Sequence, residues 1–338
     1  MLKATHRGAV TRYVLHDLTL EVRGIEADSA REVDGVLHAM SWRVTEALGP
    51  PTLTLSIDVD RAAHAVPAGA RAILRTDEYS GFEEHGSFYL TDGETVLRVR
   101  ARDRRGDVHL APSFSARSSD LRRQFWMYTL VKLLQSAGVH GLHAAGLVAP
   151  DGLGLLVVGD SGSGKSTLTI GLIRQGWRYL SDDAVLLRRG ERAVEALALR
   201  RHFYVDADAA SLYPELPRGE EIPDASGGRR RRVGVEEAYP SQRVSACEPR
   251  ILLFTRIVPR VESALISVDP SVALGRLLAQ CVRQAFEREA TSQHLVVLKQ
   301  LLKQARFFDL EAGADLHRSP ALLERLLTEV SIRARRAS

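Results

Sequence analysis

Short runs of alternating polarity dominate the first third of the chain. TLTLSIDV (53–60), ARAILRT (70–76), GSFYLT (86–91) and TVLRVRAR (95–102) are alternating or β-branched, the pattern of half-buried strands. Thr91-Asp92-Gly93, between the last two, reads as a hairpin turn because Asp-Gly tolerates positive φ. The period then changes. In SSDLRRQFWMYTLVKLLQSAG, Leu121, Phe125, Tyr128 and Leu134 recur near helical spacing. This predicts a helix over 119–136, with Ser119 or Asp120 as its cap and Gly138 beyond its end. Its aromatic side chains are expected in a core. Residues 1–118 therefore read as a smaller β-rich accessory or recognition domain, and 119–338 as a second domain.

Two strongly apolar runs follow. LHAAGLV (142–148) and LGLLVV (153–158) flank Pro150-Asp151-Gly152, which predicts an antiparallel hairpin. Reflection about residue 151 places His143 opposite Gly159. Residues 214–248 are rich in Pro, Gly, Glu and Arg and read as a long mobile loop, a lid or an acceptor-docking segment. A strand, ILLFTRIV (251–258), and helical stretches complete the chain, with no internal repeat.

Composition bounds these readings. The chain has 338 residues, 45% of them apolar, enough for two domains with substantial cores. No apolar stretch approaches about 18 residues, so no membrane span is expected. The start, MLKATHRGAVTRYVLHDL, lacks the apolar stretch of a secretory signal. Cys247 and Cys281 are far apart and in no metal-ligand spacing. Reduced thiols in a cytoplasmic protein are expected. The formal net charge is +4. Part of it is the run Arg229–Arg232, which reads as a solvated segment. No broader basic footprint points to a nucleic-acid partner.

Candidate chemistry centres on GDSGSGKS, 159–166, which fits the phosphate-loop pattern. Gly159, Gly162 and Gly164 allow tight turns and close backbone approach to phosphate. Asp160, Ser161, Ser163 and Thr167 complete the cradle. Lys165 supplies positive charge to the β/γ oxygens, and Ser166 a hydroxyl for Mg²⁺. An apolar strand precedes the loop and a helix, 166–175, follows, so the helix N-terminus faces the anion. That helix advances about 15 Å. Trp177 to Ser181, extended, return about 16 Å. Asp182 and Asp183 therefore arrive back at the phosphate end. One of them can hold Mg²⁺ and the other accept a hydroxyl proton. These observations leave three functions open: a kinase, an NTPase switch or motor, and a non-catalytic nucleotide-binding module in an assembly. No LSGGQ-like or N-K-x-D-like segment favours the switch or motor.

His143, GDSGSGKS and Asp182-Asp183, with RQGWRYLSDDAV (174–185), together resemble the C-terminal domain of HPr kinase/phosphorylase and related proteins, some of which tailor peptides. The likeness covers about 45 residues, His140 to Val185. It implies an α/β (α+β) domain with a phosphoenolpyruvate carboxykinase-like fold, a mixed sheet and an antiparallel neighbour beside the loop strand. It implies an ATP- and Mg²⁺-dependent kinase phosphorylating a serine or other hydroxyl of a protein, peptide or small-molecule acceptor. A homo-oligomer is compatible with it. By position, Asp182 matches the family's general base, Asp183 its metal- or phosphate-side carboxylate, and His143 its active-site histidine. Lys165 and Ser166 match the phosphate and Mg²⁺ ligands. The family's E-[IV]-R-G segment has no Glu here: LALRRHFY (197–204) offers Arg200 or Arg201. EPRILLF (248–254) faintly echoes a second family motif and offers Arg250. Arg200 and Arg250 are thus candidates for contacts to phosphate or acceptor.

Overall fold

The computed structural model describes residues 10–24, 27–47, 49–59, 65–206, 211–223, 229–281 and 288–318, with 322, 325 and 328. The chain start and most of the segment after 318, read above as lacking a secretory signal and as helical, lie outside the described residues. Two compact units result: Met1–His140 with Gln284–His294, and Gly141–Arg283 with Leu295–Ser338.

The first unit contains β1 (Thr11–Leu15), β2 (Leu18–Arg23), α1 (Ala27–Ala39), β3 (Arg43–Val44), β4 (Leu53–Asp58), β5 (Arg71–Arg75), β6 (Ser80–Glu84), β7 (Ser87–Thr91), β8 (Val96–Arg100), β9 (Arg105–His109) and α2 (Ser119–Ser136). Its described strands form one sheet in the order β3-β1-β2-β4-β9-β8-β7-β6-β5. All four expected strands are present. Asp92 Oδ1 accepts from the amides of Glu94 and Thr95, which closes the expected turn between β7 and β8. Two boundaries shift. The cap of α2 is Ser118, whose hydroxyl accepts from Leu121 N at 3.3 Å, one residue before the expected position. The division expected at 118/119 falls at 140/141, because α2 packs within the first unit. Phe125 and Trp126 are buried edge-to-face on each other and on Phe114, and the Tyr79 hydroxyl donates to Leu121 O.

The second unit is built on β10 (Val139–Leu142, which straddles the boundary), β11 (Ala144–Val148), β12 (Gly154–Val158), α3 (Lys165–Arg174), β13 (Arg178–Ser181), β14 (Val185–Arg189), β15 (Val194–Ala198), β16 (His202–Val205), β17 (Glu220–Pro223), β18 (Arg229–Gly234), α4 (Val235–Ala238), β19 (Ala246–Cys247), β20 (Pro249–Ile257), β21 (Ala264–Ser267), α5 (Pro270–Cys281), α6 (Arg288–Gln304, which spans both units), β22 (Arg306–Ala312) and α7 (Ala314–Arg318). Its main described sheet runs β13-β11-β12-β20-β22-β21. β12 is antiparallel to β11 and parallel to β20, so the sheet is mixed. Every residue of β11 and β12 is buried, as near-continuous apolar runs require when both faces are covered.

One face packs on α3: Leu147, Leu155 and Val157 meet Ile170, Ile173 and the aliphatic residues of β16 and β18. The other packs Leu156, Val158 and Phe254 against Leu187, Ala196, Leu277 and Leu301. Each fully buried Leu or Val contributes roughly 1.5–3 kcal/mol, which stabilises the strand that bears the loop. The loop expected over 214–248 is corrected. β16, β18 and β17 form a three-stranded antiparallel sheet with β18 in the middle, so Arg229–Arg232 lie on a strand. Gly and Pro cues around the run point to a loop, whereas pairing on both sides satisfies the backbone. Residues 224–228 within that expected loop lie outside the described residues. No helix among the described residues is long and apolar enough to cross a membrane. Cys247 and Cys281 are unbridged, and burial pushes each thiol up to about 12.

Candidate phosphate-binding site

The hairpin register decides the site. Ala144 pairs with Val158, so His143 and Gly159 face each other one step beyond the ladder, at the same sheet end. There the chain leaves β12 into the 159–167 loop. A Cβ on Gly159 would meet Ser163 Oγ at 2.5 Å and the Thr255 carbonyl at 2.8 Å, so only glycine allows this close turn. Gly164, with φ 90°, caps α3, and the helix amides open onto the loop. Lys165 Nζ donates to the carbonyls of Gly159 at 2.7 Å and Asp160 at 2.8 Å, clipping the loop to its own helix. Burial holds this ammonium below its ordinary range, against the raising influence of Asp183, Asp182 and Asp160.

The helix-and-return arithmetic holds. After Arg174 the chain turns at Gly176, φ 86°, and β13 runs back antiparallel to β11. Ser166 Oγ then donates to Asp182 Oδ2 at 2.9 Å. The Tyr204 amide donates to the same oxygen at 3.4 Å. Asp182 is 0% exposed, and its Oδ1 is buried with no hydrogen-bond partner. Burial pushes its carboxyl up to about 6, helped by the Asp183 charge; Ser166, Tyr204 and Lys165 pull the other way. Asp183 differs in every respect. Its φ is 65°, a left-handed conformation that Asp tolerates better than most residues. Its side chain is 43% exposed, with Oδ1 3.4 Å from His143 Nδ1. His143 Nδ1 also donates to the Asp183 carbonyl at 2.8 Å. A carbonyl only accepts, so the neutral ring carries its proton on Nδ1 and its lone pair on Nε2.

Asp182 is the carboxylate that touches the Ser166 hydroxyl, and Asp183 is the solvent-facing one beside the imidazole. Arg200 is brought close: its amide donates to Ser181 Oγ at 2.9 Å, next to Asp182. Arg250 is not. It lies near the β20 start, where Pro249 pairs with Gly154 at the opposite end of β12 from the loop, and it is ion-paired to Glu248. Two loop contacts were unforeseen. Arg230 Nη2 donates to Ser161 Oγ at 3.0 Å, and Gln280 Nε2 donates to Asp160 Oδ1 at 3.0 Å. The Arg run was the visible signal for the first; the second joins residues 120 apart and leaves no local pattern.

Among the described residues no group of three or more His, Cys, Asp or Glu could hold a metal ion. The residues present fit a different binding mode. Mg²⁺ is commonly held by one or two carboxylates together with substrate phosphates. Ser166 Oγ and the partnerless Asp182 Oδ1 are the donor set for that mode.

No family model matches the chain. An HPr kinase/phosphorylase of Mycoplasmopsis pulmonis is 38% identical over 74 residues, 22% of this chain and 23% of that protein. The chain is similar in sequence to HPr kinase/phosphorylases. Another, from Chlorobium phaeobacteroides, is 34% identical over 86 residues, 25% of each protein. A third, from Peptoclostridium acidaminophilum, is 44% identical over 64 residues, 19% of this chain and 20% of that protein. The match thus spans about a quarter or less of these HPr kinase/phosphorylases. A solved structure, the Hpr(Ser) kinase/phosphatase from Coxiella burnetii, covers 57% of this chain and 97% of that chain at a TM-score of 0.30 and 14% identity, a likeness too weak to inform the fold.

Proposed function

We propose that this chain is a cytoplasmic ATP- and Mg²⁺-dependent kinase that transfers the γ-phosphate to a serine or other hydroxyl of a protein, peptide or small-molecule acceptor. The observation that carries this reading is the fully buried Asp182 bonded to Ser166 of a complete phosphate loop, with a second carboxylate and an imidazole beside it. The name of the relatives supports the kinase part. Two unbridged thiols support the cytoplasmic part.

The loop amides and Lys165 bind the phosphate oxygens and offset their charge. Ser166 Oγ and Asp182 would hold Mg²⁺, which when bound adds positive charge at the phosphate oxygens. Asp183 accepts the proton of the acceptor hydroxyl on an exposed Oδ. His143 orients Asp183 through the carbonyl bond and keeps its own position in return. The acceptor oxygen forms the new bond to phosphorus, the bond to ADP breaks, and ADP leaves. Positioning and charge carry such a transfer with little covalent work by the protein.

Calorimetric titration with ATP, with and without Mg²⁺, followed by an ADP-release assay, tests the reading. ADP release that rises with added acceptor is expected. ATP hydrolysis unaffected by any acceptor would favour the switch, and binding without turnover the non-catalytic module.

A further inference from the structure

The kinase reading leaves the acceptor unspecified, and the surroundings of Asp182 narrow it. β16 runs directly beside that carboxylate, since the Tyr204 amide bonds it. The strand register is His202↔Gly234, Phe203↔Val233, Tyr204↔Arg232 and Val205↔Arg231. Alternation therefore sorts the side chains. Phe203, Val205 and Val233 sink into the core with α3 residues. His202, Tyr204, Arg230 and Arg232 share the opposite face. That face reaches the phosphate loop, because Arg230 donates to Ser161.

Two sets of guanidinium groups can be told apart. Arg230 lies close enough to Lys165 to disfavour its charge, so it belongs with the triphosphate. Arg232, Arg200, Arg201 and Arg243 gather instead around His202, where burial first and then these four cations hold the imidazole below its ordinary range. The Arg243 Nε is buried with no hydrogen-bond partner. The glutamate facing Arg232, Glu220, is mostly exposed, and an ion pair of that kind is readily exchanged for another. The second set exceeds what a triphosphate with Lys165 and Mg²⁺ needs, and it lies on the carboxylate side of the loop.

Its layout also matters. Tyr204 and His202, opposite Arg232 and Gly234, carry the Arg232 face about 7 Å further along β16, and Arg201 and Arg200 precede His202 directly in the chain. Cations spread over that length match carboxylates at alternate positions of an extended peptide. A single compact phosphate would leave most of them unused.

We propose that this face docks the acceptor, and that the acceptor is a protein segment with Asp or Glu residues flanking its phosphorylated hydroxyl. The proposal rests on the kinase reading. Three fluorescent peptides of one length test it, each with a single serine flanked by Glu, by Gln or by Lys. Their binding to the full chain with Mg²⁺ and a non-hydrolysable ATP analogue is read by anisotropy at low and high salt. The Glu peptide is expected to bind about tenfold or more tighter than the Gln peptide, with the preference shrinking as salt rises. Arg232→Ser with Arg243→Ser is expected to abolish the preference and Arg232→Lys to keep it, with ATP affinity as the fold control. Equal or absent binding of the Glu and Gln peptides overturns the proposal, as does a preference that survives the double substitution. Tighter binding of a short single-stranded RNA than of the Glu peptide overturns it in favour of a nucleic-acid partner. Failure of the kinase reading looks different: the wild-type chain would not bind ATP, or its ADP release would not rise with any acceptor, whatever the peptides do.

Discussion

Two adjoining regions beside the phosphate loop, a carboxylate flank and an arginine flank, carry opposite charge and are built in opposite ways. The carboxylate flank comes from β11 and β13 of the main sheet. Short connections fix it: a hairpin sets His143, and one helix with its return strand sets Asp182 and Asp183. Asp182 has no exposure at all. The arginine flank is a small three-stranded sheet whose cations are half-buried or exposed and partly matched by glutamates at its own edge. Burying a carboxylate is costly unless a cation or donor compensates it. Retaining one with an unpartnered oxygen points to a compensating cation in the working state. Exposed arginines cost little and discriminate by charge pattern. The first flank suits chemistry common to any acceptor, and the second suits the choice of acceptor.

Substitutions sharpen or break this division. The largest effect is expected for Asp183→Asn. Transfer should fall by about 10²–10⁴-fold with ATP affinity within a few-fold; a near-normal transfer rate would remove the base from this position. Lys165→Ala removes a charged contact worth about 1.5–3 kcal/mol, so calorimetry should show ATP affinity about 10–100-fold weaker. Unchanged affinity would mean that the loop does not hold phosphate.

Asp182→Asn should act on stability with the opposite sign. The native carboxyl titrates at about 6 against an ordinary 3.8. The folded state therefore binds the extra proton, and the associated stability is complete below about pH 4 and lost as pH rises through about 6. The metal-free variant should be more stable than wild type by about 1–3 kcal/mol at pH 8 and nearly equal at pH 4. Denaturant titration at the two pH values checks this, and a variant equally destabilised at both would contradict it. On the other flank, Arg229→Ser removes an exposed ion pair with Glu221. It should change stability by less than about 0.5 kcal/mol in the same assay, since nothing at that position is buried.

The carboxylate flank was legible in the sequence because each of its placements is local. Reflection about residue 151 put His143 opposite Gly159, and equal helix and strand lengths brought Asp182 back to Ser166. Which carboxylate would be buried was not legible, because that depends on the Tyr204 amide and the positive φ of Asp183. The arginine flank reads as a loop in the sequence but pairs as a strand on both sides. β18 takes its partners from β16 and β17, and Gly and Pro nearby hide the pairing. The Gln280–Asp160 contact and the packing of α2 in the first unit depend on distant segments in the same way.

The central claim is transfer of phosphate to a hydroxyl, and radiolabel measures it most directly. The protein is incubated with γ-labelled ATP, Mg²⁺ and a lysate of its source organism. The account predicts an acceptor that carries acid-stable label on a hydroxyl, and loss of that label with Asp183→Asn. Label released only as inorganic phosphate, at a rate the lysate does not change, would contradict it.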